Sequence, residues 1–294
     1  MPKLRVLLLL KRLPRMLLFI SMLHVSLIVP DAFAQLASAP TTTGLHNDGL
    51  LTLQYHKPSY AIVAYDRTLG TRDATLQPVE IQYQVSFKVP FAQIPYKNGE
   101  AAFGYTQVAY WQMFNTDYSS PFRETNYAPE LMASFHDKPD IEGLDRIGAV
   151  FSFIHESNGR GMPYSRSWNR IYAAVELDRK RFTFGVKPWY RIKEEAKDTP
   201  DATRGDDNPD IMRYLGYGEL YAQYHAEPWS FKLTGRDNLR SHPNYGSIQA
   251  DLIMSMKNEV KLYLQCFKGY GESLIDYNVS STRCGFGVLL ERLP

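Results

Sequence analysis

The sequence predicts an all-β protein, a twelve-stranded antiparallel transmembrane β-barrel, on three observations. After the first thirty or so residues no apolar run is long enough for a helix to cross a bilayer, although the chain is rich in aromatics, with 20 Tyr, 15 Phe and 4 Trp. Short segments of alternating hydrophobicity recur instead, as they do where a strand shows lipid with every second residue. The connections between them also alternate, tight on one side and long and polar on the other.

The N-terminus reads as an export signal. Lys3, Arg5, Lys11, Arg12 and Arg15 form a basic start, residues 16–29 are apolar, and Ala32-Phe33-Ala34 supplies small residues at the −3 and −1 positions of a cleavage site after Ala34. The alternative is a membrane-anchor helix, for which the run falls short of the ~20 residues a span needs. The expected organisation is a signal over 1–34, then a single barrel domain over 35–294 that opens on a short flexible leader, 35–49. A formal net charge of +2 argues against nucleic acid as a partner.

Twelve segments carry the alternation: 60–66, 80–90, 101–114, 129–136, 146–157, 169–177, 181–192, 214–226, 229–237, 246–256, 259–267 and 282–290. An even number suits antiparallel closure. The tight connections are Asp178-Arg179-Lys180, Glu227-Pro228 and Lys257-Asn258. The longest open one, 193–213, carries Glu194, Glu195, Asp198, Asp201, Asp206 and Asp207 and reads as solvated surface rather than a metal site. In 169–177, Ile171, Ala173, Val175 and Leu177 share one face, while Arg170 and Glu176 take the other. In 282–290, Cys284, Phe286, Val288 and Leu290 oppose Arg283. Apolar outside and charged inside suits lipid around a polar lumen.

Neither HExxH, GxSxG, a P-loop nor a dinucleotide fingerprint is present. The informative stretch is His155-Glu156-Ser157-Asn158-Gly159-Arg160 with Ser165-Arg166-Ser167-Trp168-Asn169-Arg170. Ala149, Phe151 and Phe153 define one face, which His155 and Ser157 continue; Asn169 continues the face of Ile171, Ala173 and Val175. A hairpin centred near Met162 sets His155 opposite Asn169, within cross-strand reach. Polar side chains in a lipid-facing stripe are costly and tend to be functional. A serine beside an imidazole can attack an ester, with a third group holding the imidazole tautomer. The alternative is that these residues sit wet and idle at the barrel rim.

The run HESNGR followed by SRSWNR closely resembles the active-site hairpin of the bacterial outer-membrane phospholipase A family. The likeness extends through SSPFRETNYAPEL (119–131) and GYGESLIDYN (269–278). The resemblance implies a bacterial outer-membrane barrel that hydrolyses acyl esters of phospholipids and lysophospholipids. It implies calcium dependence and activity as a homodimer. His155, Ser157 and Asn169 match the triad, and the Gly159 N–H matches an oxyanion donor. The calcium ligands implied are the Arg160 carbonyl and Ser165 hydroxyl of one subunit and the Ser119 carbonyl of the other. Gln107 matches a buried interface glutamine, and parity agrees, since it shares a face with Tyr105, Ala109 and Trp111. Two departures stand out. Met162 replaces an aspartate often used for a second calcium, which argues against that site here. The chain ends Glu291-Arg292-Leu293-Pro294, not on the aromatic residue common in such barrels.

Cys266 and Cys284 flank Ile275 symmetrically, so a hairpin there predicts a cross-strand disulfide; two unpaired thiols on the apolar face are the alternative. Besides the hydrolase, a small porin or idle barrel and a secreted β-sandwich esterase fit the pattern. They differ in conductance and in solubility without detergent.

Overall fold

The computed structural model describes residues 52–199, 202–256 and 260–290. The chain divides into two units, Met1–Gln54 and Tyr55–Pro294. The expected signal and leader, and the last four residues, lie outside the described residues.

The second unit is a closed barrel of twelve antiparallel strands. They are β1 (Ser59–Asp66), β2 (Val79–Ile94), β3 (Gly99–Trp111), β4 (Phe122–Asp137), β5 (Arg146–Ser157), β6 (Ser167–Arg179), β7 (Phe182–Ile192), β8 (Gly218–Ala226), β9 (Trp229–Asp237), β10 (Gly246–Ser255), β11 (Val260–Gly269) and β12 (Ser281–Leu290). Each strand pairs with its sequence neighbours, and β12 closes the ring on β1. Full closure removes the exposed sheet edges that would otherwise leave backbone groups unpaired in lipid. No helix among the described residues is long and apolar enough to cross a membrane.

Alternation decides which side faces out. On β5, Phe151 and Phe153 are 57% and 45% exposed, while Ser152 and Ile154 are each 4% exposed. The outer wall is therefore the greasy one. The lumen holds charges that satisfy one another rather than an apolar core. Glu130 accepts from the Lys57 ammonium at 2.7 Å, Ser152 at 3.0 Å and Tyr172 at 2.5 Å, and pairs with His56 at 2.6 Å. Arg283 is held by Glu272 and Gln265, Arg170 by Glu156, and Glu176 by Arg146 and Tyr221. The inward charges expected at Arg170, Glu176 and Arg283 thus form paired networks.

Two apolar clusters do sit inside among the described residues, a small one of Tyr60, Ile62, Tyr263 and Leu289 and a larger one behind β5–β7. The larger comprises Ile154, Trp168, Tyr172 and Trp189, covered by Leu274 and by a short helix, α1 (Ile211–Leu215). Trp168 and Ile211 are fully buried. This packing anchors the inner face of the strands that carry the site.

Four segments differ from expectation by more than two residues. β2 runs on to Ile94, not residue 90, across an irregularity between Pro90 and Ala92. β4 begins at Phe122, not at Pro129: its early residues Arg123, Glu124 and Asn126 are buried polar groups, so apolar alternation fails there. The segment expected from Tyr214 is helical to Leu215 and extended only from Gly218. β3 stops at Trp111 rather than at residue 114, where the chain turns back with the Asn115 N–H on the Gln112 carbonyl at 2.9 Å.

Candidate active site

The hairpin of β5 and β6 pairs His155 with Asn169 and Ser157 with Ser167. His155, Ser157 and Asn169 continue the exposed stripes of Phe151, Phe153 and Ile171, so all three face outward. The inner side of the same hairpin is clamped. Glu156 accepts from Trp168 Nε1 at 3.0 Å and from Arg170 at 2.5 Å, and the Arg170 guanidinium lies 3.7 Å over the Trp168 ring. With its inner side chains fixed, the hairpin holds its outer ones in a set register.

His155 Nδ1 lies 2.9 Å from Asn169 Oδ1. Asn169 Nδ2 in turn donates to Glu194 Oε1 at 3.0 Å. Ser157 is two residues beyond His155 on the same face, about 6.6 Å along the strand. Between the strands, residues 158–166 form a loop organised by Asn158, which is 4% exposed. Its Oδ1 accepts from the Arg160 and Arg166 backbone N–H groups at 3.3 and 3.0 Å, and its Nδ2 donates to the Tyr164 carbonyl at 2.9 Å. Gly159 has φ +65°, and a Cβ there would come 3.3 Å from the Tyr127 ring. The left-handed conformation favours glycine, and a Cβ would require the Tyr127 ring to give by a few tenths of an ångström.

The expected calcium residues fall into two groups. Arg160 and Ser165 lie in the loop of the hairpin whose strands carry His155, Ser157 and Asn169. Ser119 lies in the preceding long loop, in a left-handed conformation with φ +58°. The Arg160 guanidinium reaches the start of β4, just after that loop, donating to the Arg123 carbonyl and lying 3.4 Å from Glu124. Ser165 Oγ donates to Asp207 Oδ2 at 2.6 Å, and Asp207 pairs with Lys197 at 2.5 Å. Burial pushes the Asp207 carboxyl up, but the Lys197 ammonium and the Ser165 hydroxyl outweigh it and hold it below its usual value. Lys197 also sits 2.8 Å from Met162 Sδ. No group of three or more His, Cys, Asp or Glu gathers among the described residues. A cation at this loop would be held by carbonyls, a hydroxyl and the nearby carboxylate, a hard-oxygen set that suits calcium.

The acidic connection after β7 was expected to be solvated, and in part it is not. Glu194 binds Asn169, Asp206 binds Arg191 at 2.6 Å, and Asp207 binds Ser165, whereas Glu195 and Asp198 are exposed. Spacing along an irregular loop gives no parity, so these partners carried no signal in the sequence.

Gln107, on β3, pairs with Tyr127 on β4, which pairs with Ser157 on β5, and Ser157 with Ser167 on β6. The four form one row across the outer wall. Tyr105 donates to Gln107 Oε1 at 3.0 Å.

With this geometry in view, the profile of the family Phospholipase A1 matches residues 42–290. The chain belongs to the phospholipase A1 family. The phospholipase is 37% identical to Phospholipase A1 of Escherichia coli over 234 residues, covering 79% of this chain and 75% of that one. It is 32% identical to Phospholipase A1 of Proteus vulgaris over 255 residues, 84% of each chain. Among solved structures, the Salmonella typhi outer membrane phospholipase dimer with bound calcium superposes with a TM-score of 0.71 at 34% identity, covering 84% of this chain and 94% of that chain. The outer membrane phospholipase A of Escherichia coli superposes with a TM-score of 0.72 at 34% identity, covering 82% and 94%. The phospholipase is a phospholipid-hydrolysing enzyme of the bacterial outer membrane.

Proposed function

We propose that this phospholipase cleaves acyl esters of phospholipids and lysophospholipids with a Ser157–His155–Asn169 triad on the outer wall, requiring calcium and a second copy of the chain. The observation that carries this reading is the 2.9 Å contact between His155 Nδ1 and Asn169 Oδ1 on the lipid-facing side, with Ser157 next along the same stripe. Substrate then arrives from the membrane rather than through the lumen, whose paired charges leave no role for conduction in this reading.

The steps follow from the residues. Asn169 Oδ1 accepts the Nδ1 proton of His155, leaving Nε2 with its lone pair. Ser157 gives its proton to Nε2 as its oxygen attacks the acyl carbonyl. Among the described residues Ser157 has no hydrogen bond to the ring, and contacts of this kind tighten on substrate binding. The Gly159 N–H donates to the oxyanion. His155 returns the proton to the leaving alcohol, then activates water to release the fatty acid from the acyl-enzyme. The Arg160 carbonyl and Ser165 hydroxyl, with the Ser119 carbonyl of the second copy, would hold calcium. When bound it supplies positive charge to the developing oxyanion. At the position of Met162 a thioether and the Lys197 ammonium replace hard oxygen donors, which supports one calcium per site rather than two. Residues 1–34 serve as the export signal and are removed, and 35–294 form the mature barrel domain.

Phospholipid hydrolysis in detergent, with calcium or with chelator, compares the parent with Ser157→Ala and His155→Ala. Loss of activity in both variants and on chelation is expected. Undiminished hydrolysis by Ser157→Ala removes the triad reading.

A further inference from the structure

A carboxylate stands behind the triad. Ile192, the last residue of β7, pairs with Asn169, and two residues later Glu194 places Oε1 3.0 Å from Asn169 Nδ2. The Asn169 amide is therefore held at both ends, by His155 at Oδ1 and by Glu194 at Nδ2.

A primary amide has one accepting and one donating end, and a half-turn exchanges them at little steric cost. Histidine alone cannot choose between the two arrangements. Nδ1 donates to Oδ1 in one tautomer and accepts from an amide N–H in the other. A carboxylate only accepts. Glu194 thus draws the NH₂ to itself and leaves Oδ1 for the ring. Nδ1 must then carry the hydrogen, and Nε2 keeps the lone pair that can take a proton from Ser157. Asparagine also lacks the negative charge that an aspartate in its place would set beside an imidazolium, and Glu194 supplies one a step further out.

We propose that Glu194 is a positioning residue for hydrolysis, fixing the amide orientation of Asn169 and through it the tautomer of His155. This rests on the triad reading above. Other charged groups around the hairpin are engaged elsewhere. Glu156 pairs with Arg170, Arg191 with Asp206, and Asp207 with Lys197.

The test is steady-state hydrolysis of a phospholipid in detergent with calcium by the full-length protein. Glu194→Ala is expected to lower kcat about tenfold at unchanged KM, the low end of what losing a supporting partner costs. Glu194→Gln still offers an accepting oxygen and is expected to stay within about threefold of the parent. The sharper readout uses Asn169→Asp, which has no donating end to misplace. In that background Glu194 is a like charge beside the introduced carboxylate, so Glu194→Ala is expected to raise kcat rather than lower it. A loop residue with a merely structural role lowers kcat in both backgrounds alike. The proposal is overturned by Glu194→Ala within twofold of the parent, by a Gln variant as slow as the Ala variant, or by equal losses in both backgrounds. Ser157→Ala and His155→Ala run alongside. Activity surviving there refutes the triad itself, whatever Glu194 does.

Discussion

Gln107 and Ser157 stand on one row of the barrel's outer wall, two strands apart, with Tyr127 between them. At ~4.8 Å between strands their Cα atoms are about 10 Å apart. Tyr105 satisfies the carbonyl oxygen of Gln107, while among the described residues its NH₂ has no partner. An unpaired amide in hydrocarbon favours association with a second copy that can accept from it. Gln107→Leu is expected to weaken the proposed dimer by about 1 kcal/mol, roughly fivefold in Kd, with activity unchanged at high protein concentration. Activity measured along a dilution series in detergent reads this directly. A dilution curve identical to the parent's would remove Gln107 from the interface.

The oxyanion role proposed for Gly159 rests on a backbone that only glycine adopts readily. With φ +65° and a Cβ position 3.3 Å from the Tyr127 ring, Gly159→Ala either strains the loop or turns the N–H away. Losing one such donor costs about a hundredfold in kcat, at little change in KM. Gly161 is two residues away with nothing within 4 Å of its Cβ position, so Gly161→Ala serves as the control and is expected to be silent. Equal effects of the two substitutions would show that loop stiffness, not the Gly159 N–H, is what matters.

On the proposed calcium at Ser165, Asp207 and Lys197 would act with opposite signs. Asp207 accepts from Ser165 Oγ at 2.6 Å, and Lys197 lies against the other oxygen at 2.5 Å. Asp207→Asn removes negative charge beside the proposed ligand and is expected to raise the calcium concentration for half-maximal activity by about tenfold. Lys197→Met removes a competing positive charge and is expected to lower it. A calcium titration of hydrolysis distinguishes the two. Shifts in the same direction would place the cation away from Ser165.

Much of this was legible because strands have a fixed period. Parity along 146–157 and 169–177 placed His155, Ser157 and Asn169 outward, and symmetry about Met162 set His155 opposite Asn169, the pairing observed. Where lumen polarity overrode apolar alternation, reading failed: Arg123, Glu124 and Asn126 hid the first half of β4. Tyr214 looked like strand because its neighbours alternate, but it lies on α1, which packs against Trp168 and Trp189. Glu194 and Asp207 were invisible for a different reason. They reach the site through an irregular loop, whose course depends on tertiary contacts rather than on any repeat.

Cys266 and Cys284 pair directly across β11 and β12 and are joined by a disulfide over a sequence separation of 18. They lie on the face of Leu262, Leu264 and Phe286, which are 46%, 44% and 68% exposed, so the bond is on the outer wall. Closing a loop of this length restricts the unfolded chain by about 3 kcal/mol, an upper value because the hairpin ladder already holds the two strands together. The strand pair is also distant in the ring from β5 and β6. Replacing both cysteines with alanine is therefore expected to lower the urea midpoint of unfolding while leaving kcat and KM unchanged. Alanine keeps a hydroxyl out of the lipid-facing stripe. Thiol labelling of the denatured parent checks the bond itself. No label is expected before reduction and two labels after it. Two labels on the unreduced protein would leave the cysteines as free apolar-face thiols, and the alanine pair should then cost little stability.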